Sequence, residues 1–138
     1  MIAFDSNILR EIWKDNPVFL ARANLIPPEE QAVPAIVIEE ALRGRLNVIR
    51  QAEAGKAKVS LTEAYDIFVR TVDEMRGYAI LSYTVAADHQ FQEWRKQKIR
   101  VATHDLRIAA ICIAYNVTLV TRNRRDFERI PDLSVEFW

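Results

Sequence analysis

The chain has 138 residues, with 19 basic and 19 acidic side chains, half of its residues hydrophobic and 28% charged. That length suits one domain, residues 1–138, large enough to bury an apolar core without a disulfide or a structural metal. The balanced charge removes the argument for nucleic-acid binding from a high isoelectric point, and three glycines and five prolines speak against disorder and against a turn-rich all-β fold.

Met1–Phe4 is a short apolar run that ends at Asp5 and reads as a strand; Ser6 and Asn7 then cap a helix reaching Ile12 or beyond. Gln31–Val33 reads as a second strand, stopped by Pro34. That proline fits the first turn of a helix running to about Arg50, with Ile38, Leu42, Leu46 and Ile49 at helical spacing. Gln51–Lys58 is the exposed turn into the next helix. Ser60-Leu-Thr-Glu63 opens that helix in the form of a capping box, and Ala64, Ile67, Phe68, Val72 and Met75 share one side of it. Ala79–Tyr83 is a further strand, and Thr84–Gln97 a helix carrying Val85, Phe91 and Trp94. Asp105 begins a last helix, Leu106–Tyr115, apolar almost all round and therefore central. Val117–Thr121 is rich in β-branched residues. Neither it nor the first strand alternates cleanly, which suits parallel strands buried on both faces. Strands alternating with helices predict an α/β domain, a three-layer α/β/α sandwich around a mostly parallel sheet of four or five strands.

The lone cysteine, Cys112, lies in the apolar run Ile111–Ala114 and reads as a buried small hydrophobe, in keeping with a reducing cytoplasm. The N-terminus lacks a basic stretch and meets an acid at position 5, unlike a signal peptide, and the longest apolar run, Ile108–Tyr115, is far short of the ~20 residues that span a bilayer. A cytoplasmic location is the expectation.

In open parallel sheets, ligands bind at the carboxyl ends of strands. Asp5 directly follows the first strand, Asp126 lies beyond Val117–Thr121, Asp105 opens the buried helix, and Glu40 is on the helix after the second strand. All four are placed to converge on one sheet edge. Crowded carboxylates raise each other's pKa and oppose folding, a cost that a hard divalent cation removes. An all-acid set favours Mg²⁺, with Mn²⁺ as the alternative, over Zn²⁺. Such an ion polarises a phosphoryl oxygen and activates water at neutral pH. Each acid also has a plainer reading: Asp5 and Asp105 as helix caps, Glu40 as a solvated residue paired with Arg43 or Arg45, and Asp126 as a surface partner of Arg122 or Arg129.

Four segments carry a resemblance when taken in order. They are Ile2-Ala3-Phe4-Asp5-Ser6-Asn7-Ile8-Leu9; Ile38-Glu39-Glu40-Ala41-Leu42-Arg43-Gly44; Thr103-His104-Asp105-Leu106-Arg107-Ile108-Ala109-Ala110; and Leu119-Val120-Thr121-Arg122-Asn123-Arg124-Arg125-Asp126-Phe127. The last is followed by Ile130-Pro131-Asp132-Leu133 and a closing strand, Ser134–Phe137. Across nearly the whole chain the pattern resembles the PIN domain, in particular the VapC-like ribonuclease toxins of prokaryotic toxin–antitoxin pairs. The resemblance selects Glu40 over Glu39, because the functional Glu of the second motif stands four residues before a Gly. It implies a metal-dependent nuclease cutting RNA, with Asp5, Glu40, Asp105 and Asp126 catalytic and the first three holding the metal. It also implies a homodimer and a VapB-like antitoxin that binds and inhibits the toxin. Two positions depart from the pattern: Asn123, where many relatives carry Asp, and Arg107, where an acid can stand. Both weaken the hold on a second metal, so the expectation is one.

Supporting roles extend the resemblance. Thr121 is a candidate donor to Asp5 or to a metal-bound water, as against a plain strand residue, and Ser6 likewise, as against a helix cap. Asn7 is a candidate to orient substrate or Glu40, as against capping, and Asn123 to hold Asp126 or a phosphate. Arg122, Arg124 and Arg125 are the candidates to meet the RNA backbone, as against a solvated face. His104 borders Asp105, but a metal-activated water makes a general base unnecessary, and a structural role is preferred. Trp13, Trp94 and Trp138 read as packing residues rather than base-stacking platforms. Two rival classes remain. One is a PIN fold that binds a metal or a partner without cutting. The other is small-molecule phosphoryl chemistry, which the absence of an Asp-x-Asp strand end and of a suitable strand-end lysine disfavours.

Overall fold

The computed structural model describes residues 1–138. Five strands form one sheet: β1 (Ile2–Phe4), β2 (Gln31–Pro34), β3 (Ala79–Leu81), β4 (Thr118–Thr121) and β5 (Val135–Phe137). Their order is β3-β2-β1-β4-β5, and every neighbouring pair is parallel. Seven helices connect them: α1 (Ser6–Trp13), α2 (Pro17–Ala23), α3 (Ala35–Glu53), α4 (Leu61–Met75), α5 (Val85–Lys96), α6 (Thr103–Tyr115) and α7 (Arg124–Phe127). A 3₁₀ turn, Pro28–Glu30, leads into β2.

The central strands explain the lack of alternation in their sequences. Ala3 and Phe4 of β1 and Leu119, Val120 and Thr121 of β4 are fully buried, because helices cover both faces of the sheet. Helix α6 is buried over Leu106 and Ile108–Cys112, as its all-round apolar sequence requires, and Cys112 lies in the same core. It ends at Asn116, whose φ of 52° places it in the left-handed region that Asn tolerates better than most residues. Ser60 caps α4 by accepting from the Glu63 backbone N–H at 3.2 Å, as the capping-box pattern predicts, and Thr84 caps α5 through Ala87 N–H at 3.2 Å.

Some boundaries differ from the sequence expectation. Pro34 is the last residue of β2 and the N-cap of α3 rather than a first-turn residue; its fixed φ of −63° and missing N–H satisfy both roles at a sheet-to-helix corner. Helix α6 starts at Thr103, not Asp105, so Asp105 sits in its first turn. The Arg95 guanidinium, near the end of α5, donates to both Val101 O and Thr103 Oγ1 across the α5–α6 turn, at the point where α6 starts. Helices α2 and α7 have no counterpart among the predicted elements. Asn16 caps the first through Val18 N–H at 3.1 Å, and Asn123 caps the second. Trp138 packs edge-on to Phe4 with ring centroids 5.7 Å apart, and Trp94 is buried, so both serve packing. No helix is long and apolar enough to cross a membrane.

Candidate active site

The chain builds β1, β2 and β3 outward on one side, then returns to lay β4 and β5 on the other. The reversal leaves a crevice at the carboxyl ends of β1 and β4, the place where open parallel sheets bind ligands. Asp5 follows β1 there, and Thr121 ends β4 beside it.

Asp5 is only 4% exposed, and its carboxylate is held from several directions. Oδ1 accepts from the Ser6 backbone N–H at 2.7 Å and from the Ser6 hydroxyl at 3.4 Å. Oδ2 accepts from the Thr121 hydroxyl at 2.6 Å and from the Asn7 amide at 3.1 Å. Burial pushes the Asp5 pKa above the ordinary carboxylate range, opposed by these donors and reinforced by the charge of Glu40. Asn7 also donates to Thr121 Oγ1 and accepts from the Arg122 backbone N–H at 3.1 Å, which ties the start of α1 to the loop after β4. It orients Asp5, with no contact to Glu40.

Asn123 continues the network. Its backbone N–H donates to Thr121 Oγ1 at 3.1 Å, and its side-chain amide donates to Asp126 Oδ2 at 2.9 Å. Asp126 is therefore held by Asn123 rather than by Arg122 or Arg129. Glu40 meets His104 Nδ1 at 2.9 Å. Its neighbour Glu39 pairs with Arg43 and lies 3.7 Å from His104 Nε2. His104 thus stands between two adjacent carboxylates of α3.

Asp105 shows how closely the four acids converge. Its pKa is pushed up to about 6, first by burial and then by the negative charges of Asp5, Asp126 and Glu40 in turn. Only nearby like charges act this way. Four residues separated by up to 121 positions thus lie near enough for their charges to act on Asp105. No trio of Asp, Glu, His or Cys is already arranged to enclose a metal ion. The all-oxygen donor set and its un-neutralised charge fit a hard divalent cation better than any other group.

The loop arginines are largely occupied. Arg122 bonds Glu11 at 3.2 Å and lies over the Phe19 ring; Arg124 bonds Glu128 at 2.8 Å and lies over Phe137. Arg125 is exposed and makes no ion pair. Sequence reasoning overlooks Arg10 of α1, Lys14 at its C-cap and Arg45 of α3, which share a groove beside Glu40.

A doubly covered parallel sheet with acids gathered at its switch point defines the class: an α/β domain of the ligand-binding parallel-sheet kind. Residues 2–133 match the PIN domain, and the chain belongs to that family. Ribonuclease VapC2 of Rickettsia felis is 30% identical over 130 residues, which is 91% of this chain and 84% of that protein. Ribonuclease VapC1 of Haemophilus influenzae (strain R2866) is 24% identical over 97% of this chain and 95% of that one. Among solved structures, VapBC2 from Rickettsia felis bound to a DNA fragment from its promoter superposes with a TM-score of 0.76 at 25% identity, covering 100% of this chain and 99% of the other.

Proposed function

We propose that this chain is a divalent-metal-dependent endoribonuclease and the toxin of a VapBC-type pair. The observation that carries the reading is Asp105 at the switch point of a PIN fold, its carboxyl pushed up to about 6 first by burial and then by the charges of Asp5, Asp126 and Glu40. Folding tolerates such repulsion where function uses it. The names of the relatives, Ribonuclease VapC among them, point the same way.

Asp5, Glu40 and Asp105 would hold Mg²⁺, with Mn²⁺ as the alternative, and Asp126 completes the pocket directly or through water. Such an ion supplies charge neutralisation and Lewis acidity toward a phosphodiester and water. The protein's own residues prepare the pocket. The Thr121 hydroxyl and the Ser6 N–H oppose part of the desolvation of Asp5 and orient its carboxylate. Asn123 aims Asp126, and His104 orients Glu40. The partners that follow are an RNA substrate, a VapB-like antitoxin and a second copy of the chain. Exposed Leu46 on α3 and Leu61, Tyr65 and Val69 at four-residue intervals on α4 support a protein-binding face there.

The test is cleavage of labelled RNA with Mg²⁺ by wild type and Asp5→Asn. The variant is expected to lose on the order of 10²–10³-fold or more in rate with an unchanged or higher melting temperature. Retained cleavage refutes the assignment. Mg²⁺ binding by calorimetry with no cleavage of any RNA by the wild type favours the catalytically silent binding module instead.

A further inference from the structure

Two grooves with cationic lining open on either side of Glu40. One, about 300 Å³, lies between α1 and α3 and presents Arg10, Lys14 and Arg45. The other, about 590 Å³, has no hydrophobic lining residue and presents Arg43, Asn47, Arg50 and His104. Both grooves include Glu40 and Gly44. Those two residues are one helical turn apart, on the ridge of α3 that separates the grooves. Gly44 is exposed, and a Cβ built there would meet nothing within 4 Å, so the ridge is lowest at that point.

Arg43 of the second groove is paired with Glu39, but four other groove cations are free in a way that Arg122 and Arg124 of the β4–α7 loop are not. No ion pair includes Arg10, Lys14, Arg45 or Arg50. Arg45 is also braced: its Nε donates at 2.9 Å to the hydroxyl of Thr71, a buried side chain whose own proton goes to Ile67 O. The guanidinium is fixed by one edge, and its terminal N–H groups remain for an anion. Arg122 and Arg124, by contrast, spend their charge on Glu11 and Glu128.

We infer that the single-stranded substrate crosses α3 at Gly44, its phosphates held by Arg10, Lys14 and Arg45 on one side of the carboxylates and by Arg50 on the other. The inference rests on the nuclease reading above and assigns the path of its substrate. A strand lying in both grooves has its middle at Glu40, as an internal phosphodiester must to reach the acids. The backbone is the recognised feature, because an Arg fork and a Lys ammonium answer phosphate whatever the base. The β4–α7 loop arginines are left outside the path.

The experiment measures anisotropy of a labelled single-stranded RNA on the full chain, with Ca²⁺ replacing Mg²⁺, across a salt series. It is run on wild type, Arg10→Gln/Lys14→Gln, Arg45→Gln, Arg45→Lys, Arg50→Gln and Arg122→Gln/Arg124→Gln, with Lys96→Gln as a control outside both grooves. Each groove cation removed is expected to make the slope of log affinity against log salt shallower by about 0.7 and to weaken binding about tenfold. Arg45→Lys restores the slope. Arg10 and Lys14 are exposed, so their double variant keeps the test sound if Arg45→Gln unfolds. Groove variants that bind like wild type, or a larger loss from the Arg122→Gln/Arg124→Gln variant, overturn the path while leaving the nuclease reading intact. A wild type that neither binds nor cuts any RNA removes both.

Discussion

Replacing Asp105 by asparagine tests the crowding directly. In the folded chain its carboxyl has a pKa of about 6, against 3.8 for the ordinary group. At 1.36 kcal/mol per pH unit that difference corresponds to about 3 kcal/mol. Asp105 is only half-buried, and solvent screening reduces the usable figure to roughly 1–2 kcal/mol. The sign follows from linkage: an acid whose folded pKa is raised binds its proton more tightly when folded. Its contribution to stability is therefore full below about pH 4 and is lost as pH rises from about 4 to 6. The amide introduced by Asp105→Asn has no proton to lose. In divalent-free buffer the variant should match wild type near pH 4 and exceed it by roughly 1–2 kcal/mol above pH 6, or about 3–7 °C in melting temperature for a chain of this length. Urea and thermal unfolding at the two pH values, with EDTA present, read this out. Adding Mg²⁺ should narrow or reverse the gap, because wild type gains about 2.7 kcal/mol at an ion concentration of 100 Kd and the variant gains less. A variant less stable than wild type above pH 6, or equally offset at both pH values, would show that Asp105 does not carry the electrostatic load assigned to it.

Other outcomes follow from the same geometry. Thr121→Val is nearly isosteric but removes the 2.6 Å donor to Asp5; stability at neutral pH should fall by about 1.5–3 kcal/mol and RNA cleavage should fall with it, whereas Thr121→Ser should retain most of both. His104→Ala should leave cleavage within several-fold of wild type, since His104 holds Glu40 without serving as a base; a loss as large as that of Asp5→Asn in the same assay would contradict this. Chelation by EDTA should abolish cleavage, and Mn²⁺ as well as Mg²⁺ should restore it; undiminished activity in EDTA would exclude a metal enzyme. Burial pushes the Cys112 thiol up to about 12, so a thiol reagent should modify it only at the rate of unfolding, and rapid labelling of native protein would show that α6 is not the core helix.

Local patterns made much of the architecture legible. The unalternating β1 and β4 sequences announced doubly buried parallel strands, the capping box at Ser60 opened α4 where expected, and the apolar circumference of Leu106–Tyr115 marked the central helix. Each of these features depends on neighbours within a few residues, so the chain states them directly. The strand-end positions of Asp5 and Asp126 could be read in the same way, because a sheet edge is defined by where a strand stops. The choice of Glu40 over Glu39 came from a family likeness, since both face a similar local environment on α3.

Other features exist only once the chain is folded. That Thr121 clasps the Asp5 oxygen that Asn7 also holds, and that His104 bridges Glu39 and Glu40, depend on elements far apart in the chain. The basic loop after β4 illustrates the difference most clearly. By sequence it is the obvious seat for an RNA backbone, yet Glu11 from α1 and Glu128 from the end of α7 absorb two of its charges, while Arg10, Lys14 and Arg45, unremarkable along the chain, are left unpaired beside the acids. Residue identity determined which charges this protein carries. Arg124–Glu128 is a local i,i+4 pair, but only packing brings Glu11 to Arg122 and leaves Arg10, Lys14 and Arg45 unpaired, because electrostatic pairing depends on distance in space.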